Sequence, residues 1–155
     1  LTAAEEQAEF HTRHLRFNIP FLSGRLVVVT RWTLNHPECD GLRVGYFGAS
    51  TGAAAALVAA AEFGQTIGAV VSRGGRPDLA ETALARVTAP TLLIVGAVDT
   101  PVIPLNESAC AQLRCEKALE LVPGASHLFE EKGALEIAAD LATKWFVRHL
   151  GGKAD

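Results

Sequence analysis

A serine between two glycines is the feature of this sequence that most directly indicates chemistry. The run GASTG at residues 48–52 follows an apolar stretch and leads into an alanine-rich one. Gly-x-Ser-x-Gly between a strand and a helix is typical of a nucleophile elbow, whose tight turn lifts a serine hydroxyl above the carboxyl end of a parallel sheet. Gly48 and Gly52 would let strand and helix approach closely. Ser50 is therefore the candidate nucleophile, and the Thr51 N–H is a candidate oxyanion-hole donor.

Two later side chains follow strand-like segments at positions suited to assist that serine. The apolar stretch 91–96 leads into Asp99, and the stretch 118–122 leads into His127. Because functional groups of a parallel sheet collect beyond the carboxyl ends of its strands, we expect both near Ser50. His127 would accept the serine proton as the hydroxyl attacks a carbonyl carbon, and Asp99 would orient the imidazole. The pattern predicts acyl transfer.

Two of these three residues would also fit a purely structural role. The turn around Ser50 suits the glycine-rich strand-to-helix turns of nucleotide-binding α/β proteins. Asp99 could instead cap the turn that precedes Pro101. Asp78 is an alternative acid, although its position favours capping a short helix.

Arg73 follows the second strand-like segment and would lie at the rim of the same crevice. Its guanidinium could bind an anionic group of the substrate or pair with a surface carboxylate. His11 and His14 are three residues apart, but only glutamates nearby could complete a metal site. The chain has no Gly-x-x-x-x-Gly-Lys-Ser/Thr phosphate loop. These features argue against a metal site and against kinase or nucleoside-triphosphatase chemistry.

The elements that must position these residues alternate between strands and helices. This alternation predicts an α/β fold, a three-layer sandwich with a mostly parallel sheet. Residues 1–20 read as an acidic lead-in that stops at Pro20, residues 21–150 as a single domain and residues 151–155 as a flexible tail. The predicted strands are Arg43–Gly48, Ile67–Ser72, Thr91–Gly96 and Ala118–Val122, and the predicted helices are Phe21–His36, Ser50–Phe63, Asp78–Val87, Leu105–Arg114 and Ala134–Leu150.

Composition narrows the classes of partner. The 155 residues carry a formal net charge of −3 and are 49% apolar, which is ordinary for a globular domain. That charge gives no reason to expect nucleic acid or an anionic membrane as a partner. The chain has three cysteines without metal or redox spacing, and its first residues lack the apolar core of a signal peptide. These features predict a cytoplasmic protein.

Together the elbow, the segment LIVGAVD that ends at Asp99 and the segment GASHLF around His127 resemble the α/β-hydrolase fold, particularly its dienelactone hydrolase-like members. The resemblance runs from about Phe21 to Leu150. It implies hydrolysis of esters, lactones or related acyl compounds without a metal or an organic cofactor. Dienelactone hydrolases proper use cysteine as the nucleophile, whereas this chain has Ser50, so a serine esterase is expected.

The sequence departs from that family before the elbow. No glycine precedes Gly24, and residues 1–20 contain no convincing buried strand, so the segment that would donate the second oxyanion N–H is not evident. The elbow strand would then form an exposed sheet edge, covered by a preceding segment, a partner chain or a second copy. Two alternatives to an enzyme stay open. One is a truncated hydrolase fold that serves as an interaction domain, and the other is a flavodoxin-like ligand-binding domain.

Overall fold

A four-stranded parallel sheet forms the centre of the protein in a computed structural model, which describes residues 2–151 apart from the side chain of Ala8. The strands are adjacent in chain order and all parallel. They are β1 (Val44–Ala49), β2 (Ile67–Arg73), β3 (Thr91–Gly96) and β4 (Lys117–Val122). The helices are α1 (Ala3–Thr12), α2 (Ile19–Leu34), α3 (Thr51–Phe63), α4 (Ile103–Gln112) and α5 (Ala134–Leu150), with 3₁₀ segments at Leu15–Phe17, Pro37–Cys39, Gly64–Thr66 and Pro77–Arg86.

The helices cover both faces of this sheet, as the three-layer prediction requires. One apolar core joins the sheet to α2, α3, α4 and the segment Pro77–Arg86. A second core lies on the opposite face, where α5 packs against β2, β3 and the loop after β4. Strands β2 and β3 are apolar on both sides because both of their faces are buried. The predicted α/β architecture is confirmed.

Helix α2 begins and ends two residues before the predicted limits. It starts at Ile19 because the side chain of Asn18 accepts the N–H of Phe21, which caps the helix. Pro20 lies in the first turn, where its missing N–H costs nothing. The residue that was expected to end the lead-in is therefore part of the helix.

The predicted helix at residues 78–87 is a kinked 3₁₀ segment instead. Two short helical turns within Pro77–Arg86 are separated at Glu81, whose φ of 48° and ψ of −126° are not helical. Asp78 does not cap this segment. Its carboxylate accepts two hydrogen bonds from Arg76, with Nε–Oδ1 at 2.9 Å and Nη2–Oδ2 at 2.8 Å, so the prediction of a cap at Asp78 is wrong.

Strand β1 lies at one edge of the sheet formed by the described residues. Phe47 on this strand is 55% exposed, so an aromatic side chain is open to solvent beside unpaired strand backbone. The edge position agrees with the expectation for the elbow strand. Of the predicted tail, Gly152–Asp155 lies outside the described residues. None of the described helices has the length and apolarity needed to span a bilayer.

Candidate active site

Ser50 stands at a strained turn between β1 and α3. Its φ of 50° and ψ of −126° form a conformation that costs a non-glycine residue energy. A Cβ added to Gly48 would lie 2.5 Å from the Gly52 carbonyl oxygen and 2.7 Å from the Cα of Ala53, so strand and helix approach closely at Gly48, as expected. A Cβ at Gly52 would meet nothing within 4 Å, so the same expectation for that position is wrong.

Asp99 and His127 come together although they follow different strands. The Nδ1 of His127 lies 2.7 Å from the Oδ2 of Asp99. The Asp99 side chain is 8% exposed and that of His127 is 39% exposed. The buried carboxylate of Asp99 thus faces the Nδ1 of His127 at hydrogen-bond distance. A neutral imidazole carries a proton on only one of its two nitrogens. The geometry favours the tautomer with the proton on Nδ1, which leaves Nε2 as an acceptor.

The loop after β2 contacts both the turn at Ser50 and the loop after β4 that carries His127, which we call the histidine loop. The backbone N–H of Arg76 donates to the carbonyl of Ser50 at 3.0 Å. A Cβ on Gly74, whose φ is 50°, would lie 2.9 Å from the carbonyl oxygen of His127, so the two backbones are in close contact. Among the hydrogen bonds of residues 2–151, none joins the Ser50 hydroxyl to His127. The structure thus pairs His127 with Asp99 directly, and the loop after β2 is in contact with the backbone of both His127 and Ser50.

Thr51 opens α3 and is held by the amino-terminal segment. As the first helical residue, its N–H has no carbonyl four residues earlier inside the helix. Its hydroxyl donates to the carbonyl of Arg16 at 2.7 Å. The side chain of Glu9, 2% exposed, accepts bonds from the N–H of Leu15 at 2.6 Å and from the Nε of Arg16 at 2.7 Å. Burial opposes ionisation of Glu9, but these hydrogen bonds outweigh it and lower its pKa.

Arg73 lies at the carboxyl end of β2, near the histidine loop. Its guanidinium carbon is 5.2 Å from the centre of the Phe129 ring, within cation–π range. Its Nη1 donates weakly to the Leu128 carbonyl at 3.5 Å. No carboxylate among the described residues forms an ion pair with Arg73. It lines a mainly apolar groove of about 330 Å³ with Phe47 and Phe146.

A larger groove of about 820 Å³ lies away from the three candidate catalytic side chains. It runs between α2, α3 and the segment Pro77–Arg86. Phe17, Val58 and Leu79 contribute apolar walls, and His14 and Arg86 contribute polar ones. Neither Ser50 nor His127 lines this groove, so we assign it no role in the reaction.

Three contributors to the site gave no usable signal in the sequence. Glu131 accepts the N–H of Ser126 at 3.0 Å and so fixes the residue before His127. Hydrogen bonds from the side chain and backbone of Ser126 lower the pKa of Glu131. Asn106 and Glu9 are the other two, and both are buried. Glu9 bonds to the nearby backbone of Leu15, whereas Asn106 bonds to the carbonyl of Gly75, 31 positions away in the chain. Long-range contacts of this kind leave no local sequence pattern. Among residues 2–151, no group of three or more His, Cys, Asp or Glu side chains is arranged to hold a metal ion.

Comparisons with known proteins agree with this fold. The sequence model of the dienelactone hydrolase family matches residues 21–148. A crystal structure of a dienelactone hydrolase from Anabaena variabilis is 59% identical, with a TM-score of 0.95 over 97% of this chain and 69% of that one. An esterase domain from Rhodothermus marinus is 20% identical with a TM-score of 0.71, covers 83% of this chain and 69% of its own, and is similar in fold alone.

Two proteins from Mycobacterium tuberculosis strains are also similar. Each is 56% identical over 136 residues, which cover 88% of this chain but 31% of the relative. Both are provisionally named phosphoribosyl transferase. The chain thus spans about a third of the length of these relatives.

Proposed function

The chain belongs to the dienelactone hydrolase family, and from that premise we propose that it is a serine hydrolase of carboxylic esters or lactones. Ser50 is the nucleophile, His127 the general base and acid, and Asp99 the residue that orients the imidazole. The hydrogen bond of 2.7 Å between His127 and Asp99 is the observation that carries this proposal. The loop after β2 contacts both the segment of His127 and the strained turn at Ser50.

The proposed reaction has two acyl-transfer steps. The Oγ of Ser50 attacks the carbonyl carbon while the Nε2 of His127 takes its proton, and the resulting oxyanion receives a hydrogen bond from the Thr51 N–H. The tetrahedral intermediate collapses, and His127 protonates the departing alkoxide. Water then attacks the acyl-enzyme with His127 again as base, which releases the acid and frees Ser50. When the substrate is a lactone, the alcohol freed in the first step stays covalently attached to the acyl group on Ser50.

Arg73 is proposed as a contact for a polar or anionic part of the substrate. Its guanidinium has no carboxylate partner among the described residues, and it stands near the loop of His127. The fork of a guanidinium suits two-point hydrogen bonding to a carboxylate. A substrate whose acid or alcohol part carries a negative charge would use this contact.

A second oxyanion donor is not evident in the described part of the chain. Loss of one such donor costs about 3–4 kcal/mol of transition-state stabilisation, so a half-built hole would leave a slow enzyme. The alternative function follows from this: an interaction domain that pairs through the free edge of β1 with a further segment or a second copy. The chain covers 69% of the Anabaena structure, so that relative has residues without a counterpart in this chain.

The transferase name of the mycobacterial relatives belongs to proteins about three times as long as the region they share with this chain. The hydrolase proposal does not depend on it. We also propose a cytoplasmic location and a metal-independent reaction. The first is supported by three free cysteines at Cys39, Cys110 and Cys115, and the second by the pairing of His127 with a carboxylate.

The test is covalent labelling by a fluorophosphonate probe, with Ser50→Ala as the control. We expect the wild type to be labelled and the variant not, with no change in the wild-type rate when a chelator is added. Hydrolysis of a series of p-nitrophenyl esters then defines the acyl preference. Equal labelling of wild type and Ser50→Ala would reject the enzyme and favour the interaction domain.

A further inference from the structure

We propose that Asn106, on α4, is a positioning residue that ties the loop held against Ser50 to the loop that carries Asp99. This inference rests on the proposed function, because the two loops it joins are those of the nucleophile and the acid. Asn106 lies outside the loops that follow the strands. It touches none of the reacting groups, so it acts through backbone carbonyls.

The amide of Asn106 has a defined orientation. Its side chain is fully buried, and its Nδ2 donates to the carbonyls of Gly75 at 3.1 Å and Val102 at 3.0 Å. The opposite orientation would place Oδ1 against two carbonyl oxygens, which repel it. Both donors of one amide are therefore used to join two segments 27 positions apart in the sequence, at Gly75 and Val102.

In one direction this amide reaches the nucleophile. The residue after Gly75 is Arg76, whose N–H donates to the carbonyl of Ser50 at 3.0 Å. Gly75 itself is tightly enclosed, since a Cβ there would lie 2.6 Å from the Cβ of Ala53 and closer still to the hydroxyl of Ser72. The loop cannot move toward α3, so the bond from Asn106 fixes it from the other side.

In the other direction the amide reaches the acid. The N–H of Val102 donates to the backbone carbonyl of Asp99 at 3.0 Å, and that of Ile103 does so at 3.3 Å. The Asp99 carboxylate in turn holds His127. One side chain thus closes a chain of hydrogen bonds that begins at the carbonyl of Ser50 and ends at the imidazole.

The amide also has a cost that packing alone would not require. Its Oδ1 is buried and has no hydrogen-bond partner among the described residues. A buried polar atom without a partner destabilises a fold, and a leucine, which has the same number of side-chain heavy atoms, would not carry that penalty. An amide at this position is explained by the two carbonyls that it holds in place.

Two variants separate the bridge from simple burial. In Asn106→Ser, the hydroxyl can bond to the carbonyl of Val102 four residues earlier in the helix, but it is too short to reach Gly75. Asn106→Leu keeps the branching at Cγ, adds volume and removes both side-chain bonds. The matched control is Thr91→Val at the opposite, amino end of β3, because Thr91 is also fully buried and donates to the Ala89 carbonyl at 2.9 Å.

The first measurement is the rate of fluorophosphonate labelling of the full chain. We expect both Asn106 variants to be labelled about 10- to 100-fold more slowly than the wild type, because small displacements of reacting groups slow a reaction by factors of this size. Thr91→Val should be labelled at a rate within about twofold of the wild-type rate, even if its unfolding midpoint falls as much as those of the Asn106 variants. Should Asn106→Leu fail to fold, Asn106→Ser carries the test.

The second measurement needs no activity. The tautomer of His127 is read from ring ¹⁵N chemical shifts and assigned with His127→Gln. If Asp99 is displaced, it no longer favours the proton on Nδ1 of His127. We therefore expect the fraction of the tautomer protonated at Nε2 to rise in Asn106→Ser and to stay unchanged in Thr91→Val. A folded Asn106→Ser with a wild-type labelling rate or a wild-type tautomer ratio overturns the inference. If the wild type does not label at all, the proposed function fails and the tautomer ratio alone decides for or against Asn106.

Discussion

Ser50 and Glu81 share one backbone conformation, with φ and ψ of 50° and −126° in the first and 48° and −126° in the second. This is the conformation of the first central residue of a type II′ turn, where glycine is favoured. At Ser50 it lies between strand and helix, and at Glu81 it divides a 3₁₀ segment. Strain at the first position is explained by the proposed chemistry.

Replacement by glycine should release the strain at both positions. We expect Glu81→Gly to raise the free energy of unfolding by about 1 kcal/mol with unchanged labelling by the fluorophosphonate. Ser50→Gly should stabilise the protein similarly and abolish labelling, whereas Ser50→Ala keeps its Cβ and the strain. Urea denaturation measures the three variants. Equal stability of Ser50→Gly and Ser50→Ala would show that the turn stores no strain.

The two glycines of the elbow should respond in opposite ways to alanine. Gly48→Ala places a methyl group against the backbone of α3, so we expect a loss of at least about 2 kcal/mol. Gly52→Ala meets open space inside a helix and should be neutral or gain about 0.5–1 kcal/mol. Thermal unfolding of both variants under one set of conditions gives the comparison. Similar losses at both positions would contradict it.

Asp99→Asn tests the part that the buried carboxylate plays for His127. The variant keeps the shape but offers an amide N–H, or a weaker acceptor, to the ring, so the tautomer needed for proton transfer is disfavoured. We expect kcat for a p-nitrophenyl ester to fall by about 10⁴-fold while KM stays within about threefold. Asp78→Asn is the matched control and should retain activity, since the Asp78 carboxylate accepts from the Arg76 side chain and makes no bond to His127. Comparable losses in both variants would reject the assignment.

Thr51→Val should weaken the attachment of the amino-terminal segment to α3. It removes the hydroxyl that donates to the Arg16 carbonyl and keeps the side-chain shape. We expect the free energy of unfolding to fall by about 1 kcal/mol, and limited proteolysis within residues 2–18 to become faster. Thr51→Ser retains the donor and should behave like the wild type. Unchanged proteolysis in Thr51→Val would mean that other contacts hold the segment.

Glu131 should make the histidine loop sensitive to acid. The pKa of this carboxyl is lowered by hydrogen bonds from Ser126, so its stabilising contribution is fully present above its ordinary value of 4.5. That contribution is lost as the pH falls through the lowered pKa of the folded state. The stability difference between wild type and Glu131→Gln should therefore be largest near pH ~6 and shrink toward pH ~3. A difference that is constant over this range would contradict the bond to Ser126.

Much of the fold could be predicted because its signals are local. The strands β1 to β4 are short apolar runs, and their predicted limits differ from the observed ones by a single residue at most. Helix limits were less exact, since the cap at Asn18 and the prolines at the first turns of α2 and α4 shift them by two residues. The kink at Glu81 was missed because a strained φ at a glutamate has no signature in sequence.

The sequence by itself determined the class of fold and the three residues to examine, because strand order, the elbow pattern and the loops after the strands are all read along the chain. Only the tertiary structure decided which groups meet. It paired His127 with Asp99, enclosed Gly75 against α3 and set Asn106 between two loops. Such contacts join residues far apart in the chain, and they form only when the packed layers bring those residues within hydrogen-bond distance of one another.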